Sequence, residues 1–266
     1  MTRGAITSRS NPLVRELRAL LRSPSRASRR CVVEGWRLLE AAADAAVPLH
    51  LAVLTPEAAG DPRRVSLRDR LRSAGVREVL VAPQVLAALT QVESPQGVLA
   101  IAARPVPAPE AVLRDPRALL VLLDGVQDPG NVGTILRTAA AAGATAAVTI
   151  GPAADPLGPK ALRASAGAAF RLPLRHFRAA PEAAAALEAA GVRVLVADPR
   201  GERAAARVSF VRPIALVFGS EGAGPAPVWE RPGVERVRVP IAGPVESLNV
   251  AAAAAILLYR AAGLDA

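Results

Sequence analysis

Apolar residues in this chain recur as short continuous runs separated by helical stripes, the alternation expected of an α/β protein built on a parallel sheet. The clearest unit spans residues 119–143 and reads LLVLLDGVQDPGNVGTILRTAAAAG. Its first five residues form an apolar run of the kind buried on both faces of such a sheet, and the run stops at Asp124. Gly125, Asp128, Pro129 and Gly130 mark a tight loop. Asn131 is the expected N-cap of a helix over 132–142, with Gly143 as its left-handed stop. On that helix Ile135, Leu136, Ala139 and Ala140 share one face, and Thr134, Arg137 and Ala141 fall on the other. The pattern predicts that Asn131 and Arg137 flank one crevice at the carboxyl end of the strand, where open α/β sheets bind ligands.

Upstream, a leucine stripe (Leu13, Leu17, Leu20, Leu21) predicts a helix. Strands are then predicted at 31–33, 49–55, 78–82 and 97–102, with helices at 36–46, 67–74 and 83–89. This makes a small α/β domain over 1–104. Alternating prolines after Arg104 predict an extended linker over 105–116. Within 117–266, strands at 146–150, 171–174, 192–197, 214–218 and 234–239 accompany helices at 159–166, 181–190 and 247–262. Ser247 is the expected cap of the last helix, placing Asn249 in its first turn.

Composition narrows the chemistry. Cys31 is the single cysteine and His50 and His176 the two histidines, which excludes a disulfide framework and zinc-type ligand clusters; no metal is expected. The apolar run 250–258 is shorter than the roughly twenty residues a bilayer span takes. Arg3, Arg9 and Arg15 interrupt the start too early for a secretory signal, so a soluble cytoplasmic protein is expected. The net charge of +10 rests almost wholly on arginine, and arginine suits phosphate because its planar fork contacts two oxygens at once. Arg3, Arg9, Arg15, Arg18, Arg22, Arg26, Arg29 and Arg30 stand against the lone acid Glu16, and Arg63, Arg64, Arg68, Arg70 and Arg72 form a second basic run. Both are candidate RNA contacts, as are Lys160, Arg163 and Ser165. With so few aromatic residues, phosphate contacts rather than base stacking are expected to dominate.

Two more loops share the character of the first. Residues 214–218 run into Gly219-Ser-Glu-Gly-Ala-Gly-Pro, and Val239-Pro-Ile-Ala-Gly-Pro-Val-Glu-Ser-Leu-Asn leads into the final helix. Together Asp128-Pro-Gly-Asn-Val-Gly-Thr-Ile-Leu-Arg137, Phe218-Gly-Ser-Glu-Gly222 and Val239-Pro-Ile-Ala-Gly243 with Ser247-Leu-Asn249 resemble the three signature motifs of the SpoU (TrmH-like) RNA 2′-O-ribose methyltransferases of the SPOUT class. Val239, where isoleucine is commoner, is a mild departure. Ile6-Thr-Ser-Arg-Ser-Asn-Pro-Leu-Val, Val33-Glu-Gly35 and Ser94-Pro-Gln-Gly-Val-Leu-Ala100 resemble the L30e-like substrate-binding domain that many of these enzymes carry.

The resemblance implies S-adenosylmethionine as cofactor, a C-terminal parallel sheet with a deep trefoil knot, and a homodimer with active sites at the subunit interface. It implies catalytic roles for Asn131, Arg137, Glu221, Ser247 and Asn249, and cofactor binding by Gly219, Val239, Ile241 and Leu248. Arg137 has two readings, a base whose pKa falls in the complex or a cationic clamp on an RNA phosphate, because a free guanidinium holds its proton tightly. Ribosomal RNA is the favoured substrate, with transfer RNA second; a non-catalytic RNA-binding protein on the same fold is a further alternative. A dinucleotide-binding reading lacks its G-x-G-x-x-G fingerprint.

Overall fold

The computed structural model describes residues 4–22, 26–90 and 92–264. Arg3, part of the basic opening, lies outside them. The chain divides into two compact units, Met1–Pro105 with Leu157–Phe170, and Val106–Pro156 with Arg171–Ala266.

The first unit begins with α1 (Pro12–Arg22), β1 (Arg30–Glu34), α2 (Trp36–Asp44) and β2 (Leu49–Leu54). It continues through α3 (Pro56–Gly60), α4 (Val65–Ser73), β3 (Arg77–Leu80), α5 (Pro83–Ala87) and β4 (Val98–Ala103). The sheet order is β1-β4-β2-β3, with β4 antiparallel to both neighbours and β3 parallel to β2. Val14, Leu17 and Leu21 of α1 join Val32, Val53, Leu99 and Ile101 of the sheet in one core, which is why the leucine stripe forms a helix at all. Leu20 is only partly buried at its margin.

The second unit contains β5 (Leu119–Asp124), α6 (Pro129–Ala141) and β6 (Ala146–Ile150). After an excursion through α7 (Pro159–Ser165) come β7 (Leu174–Phe177), α8 (Ala180–Ala189), β8 (Arg193–Ala197), β9 (Arg203–Ala204), β10 (Ile214–Gly219), β11 (Glu235–Arg238) and α9 (Val250–Ala262). The seven strands lie in the order β7-β6-β5-β10-β8-β11-β9, every pairing parallel. Residues 119–123 are fully buried, as the apolar run predicts, and each such side chain contributes about 1.5–3 kcal/mol relative to exposure. Pairing of β5 with β10 sets Asp124 level with Gly219, so the loops after the two strands open side by side.

Several expectations need correction. The strand expected at 171–174 is Leu174–Phe177, because Pro173 has no amide hydrogen and can only precede a ladder. Of the four residues grouped on one face of α6, Ile135, Leu136 and Ala139 are buried and Ala140 is exposed. Residues 106–116 are not a free spacer: the Ala108 amide donates to the Leu174 carbonyl at 2.7 Å, and Leu113 is fully buried in the second unit's core. Residues 157–170, although they follow β6, belong with the first unit. There Arg163 pairs with the buried Glu34 at 2.9 Å, and Ser165 is buried with its hydroxyl donating to the Leu162 carbonyl. Both side chains are thus engaged within the unit. A Cβ on Gly167 (φ +85°) would lie 2.5 Å from Cβ of Ala41, so α7 sits close on α2. No helix among the described residues is long and apolar enough to cross a membrane.

Candidate active site

The helix after β5 is capped by Asp128, not Asn131: its Oδ1 accepts from the Asn131 amide at 2.8 Å, and Pro129 takes the first helical position, which has no amide to satisfy. The last helix is likewise capped by Asn249 rather than Ser247; Asn249 Oδ1 accepts from the amides of Ala251 and Ala252 at 2.9 and 3.3 Å. Asn, Asp and Ser rank nearly alike as caps, so propensity alone could not choose among positions a few residues apart.

These shifts free the Asn131 side chain. Its Nδ2 donates to Glu221 Oε1 at 2.6 Å, and its Oδ1 accepts from Asn249 Nδ2 at 3.1 Å. The direction of the chain follows from its ends. The α9 amides are donors and hold the Asn249 oxygen, which turns its NH2 outward; the Glu221 carboxylate oxygen accepts, which draws in the Asn131 NH2. Residues from three loops far apart in sequence thus form one hydrogen-bonded line, and each amide has a single consistent orientation.

Glu221 is presented by a tight loop. Ser220 and Gly224 exchange backbone hydrogen bonds at 3.0 and 3.1 Å, and the Ser220 hydroxyl accepts from the Ala223 amide. A Cβ on Gly219 would overlap the backbone of Gly224 and Pro225, so the glycine is required by the loop's own return. Behind the loop, the buried Asp124 accepts through Oδ2 from the Ala226 amide at 2.7 Å and from Trp229 Nε1 at 2.9 Å. Sequence reading did not single out either residue. Their signals were an acid closing an apolar strand and a lone tryptophan in a polar, proline-rich stretch.

The loop edges and the irregular stretch after β11 enclose a cavity of about 900 Å3. Gly219, Val239, Ile241 and Leu248 line it, as do Glu221, Ser247 and Asn249; Phe218 and Leu257 add apolar wall. Asn131 stands at the rim through its bonds to Glu221 and Asn249. Asp198, Arg200, Glu230 and Arg236 form a charged side. Burial would raise the Asp198 carboxyl, but the Arg200 amide at 2.8 Å and the Arg236 guanidinium outweigh it and hold Asp198 below its ordinary value.

Arg137 does not join this group. It lines a separate groove of about 690 Å3 between α6 and α9, with Thr134, Thr138, Ala141, Ala255, Ile256 and Tyr259. Helical geometry gives the reason: six residues beyond Asn131 is about 9 Å along the axis and about 240° around it, so the two side chains face different directions. Ser247 makes no capping bond and is exposed at the cavity edge. No cluster of metal-ligating residues occurs among the described residues.

Comparison with known proteins bears on what a cavity of this construction serves. The chain is 36% identical to an uncharacterised tRNA/rRNA methyltransferase of Synechocystis, over 97% of its own length and 93% of the relative's. It is 34% identical to a Bacillus subtilis protein named as a 23S rRNA guanosine 2′-O-methyltransferase, over 80% of this chain and 86% of that one. A solved AdoMet-bound rRNA methyltransferase from Sinorhizobium meliloti superposes with a TM-score of 0.85 at 29% identity, covering 97% of each chain. Residues 11–100 match the MRM3-like substrate binding domain. Residues 118–259, which hold Asn131, Glu221 and Asn249 and the whole cavity they close, match the SpoU rRNA methylase model, and this chain belongs to that family.

Proposed function

We propose that this protein transfers a methyl group from S-adenosylmethionine to a ribose 2′-hydroxyl of RNA, with 23S ribosomal RNA the foremost substrate. The carrying observation is the Glu221–Asn131–Asn249 line at the mouth of the 900 Å3 cavity. The cavity suits the cofactor chemically. Phe218, Ile241, Leu248 and Leu257 offer apolar surface for a nucleoside, and the charged residues beside Asp198 complement a zwitterionic amino-acid end. Gly219, Val239, Ile241 and Leu248 would hold it. When bound, it supplies a methyl on a sulfonium whose leaving thioether is neutral, so the protein's task is orientation and handling of the hydroxyl proton.

Asn131, locked by its two partners, positions the ribose, and Glu221 fixes Asn131 through a charge-assisted bond. Ser247 shapes the cavity edge. Arg137, a donor with no acceptor capacity while protonated, clamps an RNA phosphate and polarises the hydroxyl, whose proton passes to solvent as the oxygen takes the methyl group and the neutral thioether leaves. Because Arg137 stands apart from its own chain's cavity, it acts on the cavity of a second copy in a homodimer. The half-exposed Ile256 and Tyr259 beside it, 41% and 40% accessible, support a covered α6–α9 face. The trefoil knot, the L30e-like fold of the first unit and a cytoplasmic setting belong to the same proposal.

The test is transfer of labelled methyl from S-adenosylmethionine to 23S ribosomal RNA and to transfer RNA, with the product mapped to a ribose. Arg137→Ala should abolish transfer and leave cofactor affinity by calorimetry nearly unchanged; near-normal turnover would refute the role given to Arg137. Absence of cofactor binding by the unaltered protein would favour a non-catalytic RNA-binding role.

A further inference from the structure

We infer that the outward face of α1, carrying Arg15, Arg18 and Arg22, is the surface on which the first unit docks the phosphate backbone of RNA, and that the second basic run, Arg63 to Arg72, takes no part. The inference deepens the RNA-methyltransferase reading and rests on it.

The two basic runs look equivalent in sequence and differ in structure. In the second run every guanidinium is engaged by an acid of the same unit. Arg63 pairs with Asp61 at 2.9 Å, Arg68 with Glu78 at 2.7 Å, Arg70 with Asp44 at 2.8 Å and Arg72 with Asp69 at 2.6 Å. Arg64 lies 3.9 Å from Asp61 and stacks over the Trp36 ring at 5.5 Å. These arginines are spent on neighbours, and phosphate would have to displace a carboxylate from each.

Along α1 the opposite holds. Positions 15, 18 and 22 follow the spacing that sets side chains on one helical face, within about 60° of arc and about 10 Å of axis. Arg15 and Arg22 are exposed, Arg18 is half-buried, and among the described residues none of the three has an ion-pair or side-chain hydrogen-bond partner. The helix's own acid, Glu16, is taken by Arg30 at 2.5 Å. The neighbouring face, Val14, Leu17 and Leu21, about 100° around the helix, is fixed in the core, so the three charges stand on a rigid support. Among the described residues Arg9, Arg29, Arg37 and Arg77 are also unpaired, but they are scattered: Arg9 and Arg29 lie on connecting segments, and Arg37 and Arg77 each stand beside an acid of their own element, Glu40 and Glu78. Three adjacent cations on a rigid helix, left unneutralised where the second basic run pairs its charges, fit a polyanion with regularly spaced phosphates.

The experiment compares the full-length protein with the triple variant Arg15→Gln/Arg18→Gln/Arg22→Gln and with Arg63→Gln/Arg70→Gln/Arg72→Gln. Binding to extracted 23S ribosomal RNA is measured across a salt series, and S-adenosylmethionine affinity serves as the check on folding. The α1 triple variant should bind about ten- to a hundredfold more weakly at moderate salt, and the slope of log K against log salt should flatten by about 2 to 3, one phosphate contact per arginine. The second variant should match the unaltered protein in both. Each single α1 variant should flatten the slope by about 1, which keeps the test open if the triple variant folds poorly. An unchanged slope in the α1 variants, or an equal loss in the second variant, overturns the assignment while leaving the enzyme reading intact. Unaltered protein that binds this RNA but never methylates it overturns the enzyme reading and leaves the docking face standing; failure to bind the RNA at all overturns both.

Discussion

Asp124 ends a strand of the second unit buried along its whole length, and its carboxylate reaches two donors on the loop that carries Glu221. Removing it leaves the buried Trp229 N–H unpaired, which costs about 1–3 kcal/mol. Asp124→Ala should therefore lower thermal stability, shift the Trp229 emission toward that of a wetter indole and weaken S-adenosylmethionine binding, whereas Asp124→Asn, which keeps one acceptor oxygen, should do each of these less. Emission from Trp36, in the other unit, supplies the internal reference. A second residue-level prediction concerns Asn131. In Asn131→Asp two carboxylates face one another where Asn131 Nδ2 now meets Glu221 Oε1, raising the pKa of both. Methyl transfer by Asn131→Asp should fall below that of Asn131→Ala at neutral pH and recover partly as the pH is lowered, in a pH–rate profile. Among the residues of the line, sequence reading identified Asn131, Glu221 and Asn249 as chemistry-bearing but misassigned the capping. The decisive interactions, Asn131 with Glu221 and Asn249 with Asn131, join positions 90 and 118 residues apart, which no local propensity can register.

Elements were more legible than their joints. The apolar run of β5 predicted a doubly buried strand because no other short structure hides five consecutive large side chains. The start of β7, by contrast, was misplaced by three residues, since an arginine-bearing stretch interrupted by Pro173 carries no period of its own. The Glu221 loop lies between these extremes: its glycines were visible, but the reason for Gly219 was not. The resemblance implies only a cofactor contact at Gly219, and the structure fills the place of its missing Cβ with the backbone of Gly224 and Pro225. Gly219→Ala should accordingly destabilise the protein by about 2–4 kcal/mol even without cofactor, measured by denaturant titration, and a purely ligand-facing glycine would leave apo stability unchanged. Asn249→Ala should cost about 0.5–2 kcal/mol through the lost α9 cap and, by releasing Asn131, reduce turnover further than stability alone accounts for.

For the molecule as a whole, arginine excess is the dominant electrostatic fact, and many of its carboxylates are already committed. Glu78 and Glu235 are pushed up by burial, but their arginine partners more than compensate and hold both below the ordinary range; Asp61 is lowered chiefly by its hydrogen bond from Arg63. With Asp198, these are carboxyls whose folded-state values lie below their unfolded ones. Their stabilisation is complete above the unfolded value near 4 and is lost as the pH falls through the lower folded values. Acid unfolding followed by circular dichroism should show stability flat around neutrality and falling steeply below about pH 4, with both units affected. Subunit exchange tests the arrangement proposed for Arg137. Mixing inactive Arg137→Ala with inactive Glu221→Ala should restore part of the activity if the arginine serves its partner's cavity, and none if each chain is self-sufficient.

The placement of Leu157–Phe170 with the first unit bears on how this protein comes into being. A ribosome that has released only residues 1–105 has not yet supplied Arg163 for Glu34, nor the close seat of Gly167 on Ala41. The nascent amino-terminal half must therefore wait, with Glu34 held by Thr90 but lacking its arginine, until synthesis has passed residue 170. Cutting the gene at the proline-rich junction would then yield a fragment lacking one of its own walls, and a soluble version would need residues 157–170 grafted back as a tail.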